Sequence, residues 1–249
     1  MRNVRLLIEY DGTPFAGWQR QRNGVAVQAV LEEALAAVTG AAVTLHGAGR
    51  TDAGVHALGQ VANFTTESRI PPRGITAAVN RLLPEAIVVR RADEVAPAFH
   101  ARFSALAKRY RYTFLLQRRR SALAPNRAYR LNGPLDAARM QRAAQAFLGA
   151  HDFRSFEASR HQRKGDAVRT VTAAELIKLG PRIIFDVEAN GFLYRMVRTM
   201  AGTLLEVGRH QRTVADVRRA LRAADRRMAG PTAPACGLCL MWVKYGGRR

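Results

Sequence analysis

Two periodicities follow one another in the same order in both halves of the chain, and this limits the folds open to it. Val4, Leu6, Ile8 and Tyr10 alternate as a strand face, and Val27, Val30, Leu31, Ala34, Leu35 and Val38 then fall at helical spacing until Gly40. Gln60 to Thr65 reads as a strand, Ile75 to Leu83 as a helix ended by Pro84, and Ile87 to Arg90 as another strand. A second series begins near Ala105. Lys108 to Leu116 forms a long strand with Tyr110, Tyr112 and Phe114 on one face, and Pro134 to Leu148 a helix with proline at its start and Gly149 at its end. Val168–Leu179 and Arg182–Asn190 are expected to pair around Gly180-Pro181. Leu193, Met196, Val197, Met200, Leu204 and Val207 give a helix over Leu193–Val207 an apolar stripe to bury against a sheet. Thr213 to Asp216 has the pattern of a capping box, and Leu238 to Tyr245 closes the chain as a strand. No low-complexity tract or tandem repeat appears. The expected fold class is α+β, mainly antiparallel sheet with helices packed on it, divided into an N-terminal half, 1–104, and a C-terminal half, 105–249.

With 249 residues and 48% hydrophobic content, the chain can bury a sizeable core. The start lacks the apolar run of a signal peptide and no later segment approaches a membrane span, so a cytoplasmic protein without a membrane partner is expected. Forty Lys plus Arg against nineteen Asp plus Glu give a net charge of +21, biased towards Arg. Such a chain attracts polyanions, although an Arg-rich composition that merely solvates helix faces accounts for the charge equally well. Cys236 and Cys239 form a C-x-x-C with no second pair to complete a zinc site. They are expected as core residues around a strand, in a reducing compartment. Arg118-Arg119-Arg120 and Pro125 mark a basic loop, and Ser159 to Ala167 reads as a flexible basic insertion.

The stretch Gly47-Ala48-Gly49-Arg50-Thr51-Asp52-Ala53-Gly54-Val55-His56 sets one carboxylate in a glycine-punctuated loop. A dinucleotide fingerprint would need glycine where Asp52 stands, and a Walker A loop would need Gly-Lys-Ser/Thr. No G-x-S-x-G elbow supports a serine hydrolase, and the histidines show no metal spacing. His56 is read as loop packing. What remains is a loop presenting Asp52 as a reactive group, with Arg50 placed to hold a phosphate or an extruded base. A tight turn capped by an Asx side chain is the alternative for an isolated Asp-Ala-Gly.

This loop, with Val55-His56 and Gly59-Gln60-Val61, resembles the active-site signature of the tRNA pseudouridine synthase A (TruA) family. Glu9-Tyr10-Asp11-Gly12 and Phe15 to Gln21 resemble that family's opening, and Phe99 to Ser104 and Lys108 to Tyr112 its middle block. Met196-Val197-Arg198, Gly202 and Glu206-Val207-Gly208 resemble its late helix. The resemblance implies two similar halves joined in an extended mixed sheet with a catalytic cleft between them. It also implies a cofactor-free, metal-free isomerase acting on the tRNA anticodon arm at positions 38, 39 and 40, and a homodimer.

Making pseudouridine breaks the C1′–N1 bond, turns the base and joins C1′ to C5. Asp52 is the expected nucleophile, attacking ribose C1′ or uracil C6; the sequence does not choose between them. A carboxylate in a closed site needs a cation nearby to stay ionised, and the resemblance points to Arg198. An arginine on the solvated edge of the same helix is equally compatible with the spacing. By resemblance Tyr110 stacks on the target uracil, although Tyr-Arg-Tyr strands commonly use such tyrosines in the core and Tyr112 shares its face. Arg50 is expected to fill the space left by the flipped nucleotide, or alternatively to order the loop. The competing class is a non-catalytic basic RNA-binding protein or tRNA folding chaperone on the same scaffold, which has no use for a carboxylate amid phosphate contacts.

Overall fold

The computed structural model describes residues 1–119, 126–158 and 166–246. Arg120 and Pro125 of the expected basic loop, and residues 159–165 of the expected insertion, lie outside the described residues. In chain order the elements are β1 (Arg2–Tyr10), α1 (Val27–Thr39), β2 (His46–Gly47), β3 (His56–Thr66), α2 (Pro72–Asn80), β4 (Ile87–Val95), β5 (Ala105–Leu116), β6 (Tyr129–Leu131) and α3 (Ala137–Ala144). There follow β7 (Gly149–Asp152), β8 (Val168–Leu179), β9 (Arg182–Ala189), α4 (Met196–Gly208), α5 (Val214–Ala223) and β10 (Leu238–Tyr245). The fold is α+β, with a mixed, mainly antiparallel sheet and helices packed on it. The chain forms two compact units, one of Met1–Leu106 together with the chain from Cys239 on, the other of Ala107–Leu238.

In the first unit the strand order is β4-β1-β3-β10, with β2 also on β3. β1 runs antiparallel to β4 and β3, while β10 runs parallel to β3, pairing Cys239 with His56 and Leu240 with Ala57. The alternation read along β1 is the buried face Val4, Leu6, Ile8 and Tyr10. α1 ends where the periodicity stops, with Gly40 in the left-handed conformation at φ 76°. α2 departs from expectation: it begins at Pro72 and ends at Asn80 rather than spanning Ile75 to Leu83. Proline is favoured in the first helical turn because its missing N–H has no intrahelical partner there. The exit is set by Asn80, whose side chain bonds both the N–H and the carbonyl of Val89, at 2.8 and 2.9 Å.

In the second unit β5, β9, β8 and β7 form an antiparallel run, and β6 adds to β5 in parallel. The expected helix from Pro134 to Leu148 is shorter. Asp136 caps it by accepting from Arg139 N at 2.8 Å, the last turn tightens into a 3₁₀ segment at Gln145–Phe147, and Gly149 opens β7. The capping box at Thr213 and Asp216 is present in both directions. α4 begins at Met196 rather than at Leu193; the expected stripe is buried at every position, Leu193 just ahead of the helix included, but so are Thr199, Gly202 and Thr203 on another side. That side is covered by Gly230–Ala233. Gly230 N donates to Thr203 Oγ1 at 2.9 Å, and a Cβ on Gly202 would overlap the Pro231 carbonyl oxygen.

The cysteines require a correction. Cys236 lies in a 3₁₀ turn at Ala235–Gly237 and only Cys239 lies on β10; neither is in a disulfide, and both are half-buried rather than core residues. Cys236 Sγ donates to the Ala128 carbonyl at 3.7 Å, and burial pushes its thiol up.

Candidate active site

The Asp52 loop is held by the two sequence blocks that flank it. β2 delivers the chain to it by pairing His46 with Asn63 and Gly47 with Ala62. Ala48 N then donates to Val61 O at 2.7 Å, and the buried Gln60 donates from Nε2 to Gly49 O at 2.9 Å. Trp18 N donates to Thr51 O at 3.0 Å, and the Tyr10 hydroxyl meets Thr51 Oγ1 at 2.8 Å. The loop closes with a turn in which Val55 N donates to Asp52 O at 3.1 Å. Buried polar groups of this kind are costly to leave unmade, so each bond fixes the loop as well as stabilising it.

Close backbone approach explains the glycines outside the loop. A Cβ on Gly12 would overlap the Val55 carbonyl oxygen, and one on Gly17, whose φ is +106°, would stand 2.6 Å from Thr51 O. Inside the loop only Gly54 takes a left-handed φ, at 76°, whereas Gly47 is required because the Trp18 indole occupies the place of a Cβ. Trp18 is itself seated by α1. Gln28 accepts from Arg20 N at 3.0 Å and donates to Leu45 O at 3.1 Å, and Glu32 accepts from Leu45 N at 2.9 Å.

His56 opens β3 and is buried, and its Nδ1 accepts from Gly12 N at 3.1 Å. Nδ1 also lies 3.1 Å from Asp11 Oδ1. The packing role read from the sequence holds. Burial pushes the Tyr10 hydroxyl well above its ordinary range, with its bonds to Thr51 and Gln60 offsetting part of this, so Tyr10 is a neutral donor or acceptor. Tyr10, Thr51 and Gln60 are braces that the sequence reading did not single out, although all three stand in its quoted motifs.

Arg50 is exposed, and its side chain makes no hydrogen bond or ion pair among the described residues. Asp52, two positions on, is half-buried. In the second unit, β5 separates the two tyrosines that periodicity left equivalent. Tyr112 is fully buried and its hydroxyl donates to Pro234 O at 2.8 Å, so both its ring and its polar end are committed to the core. Tyr110 is 7% exposed and meets the edge of Phe192 with ring centroids 5.1 Å apart.

Arg198 is half-buried in the first turn of α4, a helix that starts from Arg195 in the left-handed region at φ 56° and has neither a side-chain cap nor an acid in its first turn. Its Nε donates to Ala233 O at 2.8 Å, and its own carbonyl accepts from Ala233 N at 3.0 Å. A cation at the positive end of the helix dipole is unfavourable, so this position is not explained by helix stability. The covering segment explains the orientation of the guanidinium, and that segment lies some 35 residues away in sequence.

The tRNA pseudouridine synthase family model matches residues 6–104 and 143–246. Arg50, Asp52 and Arg198 fall within the matched segments and Tyr110 in the stretch between them. The tRNA pseudouridine synthase A of Geobacter sp. (strain M21) is 51% identical over 98% of this chain and 99% of its own length. That of Citrifermentans bemidjiense is 50% identical over 98% of each chain, and that of Acetivibrio thermocellus 47% identical over 98% of this chain and all of its own. A match of this extent, on a chain whose flanking motifs fold around the Asp52 loop, shows that the protein belongs to the tRNA pseudouridine synthase family.

Proposed function

We propose that the protein is an isomerase converting uridine to pseudouridine in the tRNA anticodon stem-loop, at positions 38, 39 and 40. The C1′–N1 bond breaks, the base turns, C1′ joins C5, and the proton on C5 is lost while N1 gains one; nothing is oxidised and no group is donated. Asp52 is the nucleophile, at ribose C1′ or uracil C6. Arg198 supplies the positive charge that keeps the carboxylate ionised, Tyr110 stacks on the uracil, and Arg50 enters the space left by the extruded nucleotide. Flipping costs roughly a few kcal/mol, and a free guanidinium that stacks and pairs with phosphate can repay part of it. A homodimer in the cytoplasm is part of the same reading; no helix among the described residues is long and apolar enough to cross a membrane.

One observation carries the proposal: the carboxylate-bearing loop is immobilised from several sides by buried hydrogen bonds and by backbone packed against glycine. A phosphate-binding surface needs no such fixing of an acid, whereas a nucleophile gains from being held in one geometry. The test is tritium release from tRNA labelled at uracil C5. The purified protein is expected to release tritium, and Asp52→Asn to abolish release while tRNA affinity stays within a few-fold. Turnover near the wild-type rate in Asp52→Asn would reduce Asp52 to a structural residue and favour an RNA-binding role.

A further inference from the structure

The turn after β4 presents an aromatic and cationic cluster that the proposed chemistry leaves unused. Phe103 is 76% exposed, although the His100 ring lies 4.4 Å from it and the Arg102 guanidinium stands over its ring at 5.5 Å. His46 continues the row, its ring 5.0 Å from His100. The turn is rigidly made. His100 Nδ1 accepts from Arg102 N at 3.1 Å, Ser104 Oγ accepts from His100 N at 3.1 Å, and Ser104 N donates to His100 O at 2.9 Å. No acidic residue occurs between Ala96 and Lys108 or between His46 and Arg50, and Arg102 is the fixed cation of the cluster.

Its position is fixed relative to the Asp52 loop through one strand. The buried Asn63 of β3 accepts from Ala101 N at 2.8 Å and pairs with His46 across the ladder. Three residues earlier on the same strand, Gln60 holds Gly49 of the loop. At about 3.3 Å per residue this places the two anchor points about 10 Å apart, a reach of a few nucleotides along an RNA strand.

An isolated exposed phenylalanine needs no explanation, but one backed by stacked rings and a guanidinium has the chemistry that receives a nucleobase. We propose that Phe103, with Arg102, His100 and His46, is a stacking platform for an unpaired base of the RNA substrate, within a few nucleotides of the uridine presented to Asp52. The inference rests on the proposed tRNA isomerisation and adds a positioning contact to it.

The test uses the full chain and anticodon stem-loop RNAs in which one unpaired nucleotide at a time is made abasic. Phe103→Ala is expected to raise KM about tenfold, the size of one lost base stack, with a much smaller effect on kcat. It should also lose the wild-type penalty for the abasic site at one position. Phe103→Trp should restore KM, and its added indole emission, read as a difference from wild type, should be quenched by RNA. An unchanged KM in Phe103→Ala, or no position-specific abasic penalty in the wild type, would overturn the platform. So would indole emission that shifts on protein dilution without RNA, which would assign the face to a second copy of the chain. If the wild type released no tritium, the isomerase reading would fail instead, while quenching of Phe103→Trp would still decide whether a base stacks there.

Discussion

The loop around Asp52 and the start of α4 at Arg198 are each braced by segments distant in sequence, but by different means. Around Asp52 the braces are many and mostly polar: Tyr10 and Trp18 from one block, Gln60 and Val61 from another, with backbone closing onto Gly12 and Gly17. At Arg198 the Gly230–Ala233 segment lies along the small-residue side of α4, and its Ala233 carbonyl accepts from the guanidinium. A site built from many small constraints tolerates the loss of one.

The largest effects are expected where backbone meets a glycine. Gly12→Ala and Gly202→Ala each force a Cβ into a carbonyl oxygen, and overpacking of this kind costs about 1–3 kcal/mol or more, lowering Tm by about 2–4 °C per kcal/mol in a chain of this size. Both should also lose activity, since displacing a catalytic group by about 1 Å can cost on the order of a hundredfold. Melting curves beside kcat measure both, and a Gly202→Ala protein with normal Tm and turnover would show that the covering segment does not fix Arg198.

Arg198→Met comes next. Methionine suits the half-buried site on α4, so the fold should persist while kcat falls tenfold or more. Wild-type turnover would assign Arg198 to the helix surface and remove it from the chemistry. Tyr10→Phe tests the redundancy of the loop. Losing one hydroxyl leaves Thr51 Oγ1 without its tyrosine partner, at about 1–3 kcal/mol, but the remaining braces should keep kcat within a few-fold. A loss as large as that of Gly12→Ala would show that the braces of the loop are not redundant.

The smallest effect concerns stability in acid. Burial pushes the Asp186 carboxyl up, but hydrogen bonds and charge from Arg111 and Arg109 outweigh it and hold it below the usual carboxylate range. A carboxyl lowered in the folded state contributes stability that is present above its unfolded value of about 3.9 and lost as pH falls through the folded value. Asp186→Asn should therefore flatten the acid end of a urea-midpoint profile by lowering the midpoint at neutral pH while leaving it little changed in strong acid, and the loss should be small because both arginines are partly solvated. An unchanged acid limb would show that the ion pair adds nothing.

The sequence by itself determined the elements whose patterns are local. The alternation of β1, the stripe of α4, the Gly40 stop and the capping box at Thr213 are local patterns, and each element forms where its pattern lies. β2, β6 and β7 escaped because strands of two to four residues are too short to show a period. The end of α2 escaped because Asn80 leaves the helix for a partner on β4. Only tertiary structure separated Tyr110 from Tyr112, two residues with identical period and type, by burying Tyr112 completely with its hydroxyl on Pro234 O. Likewise only tertiary structure anchored Arg198, because the carbonyl that receives it belongs to a distant stretch, and a side chain's direction is set by the partner that satisfies it rather than by its place in a repeat.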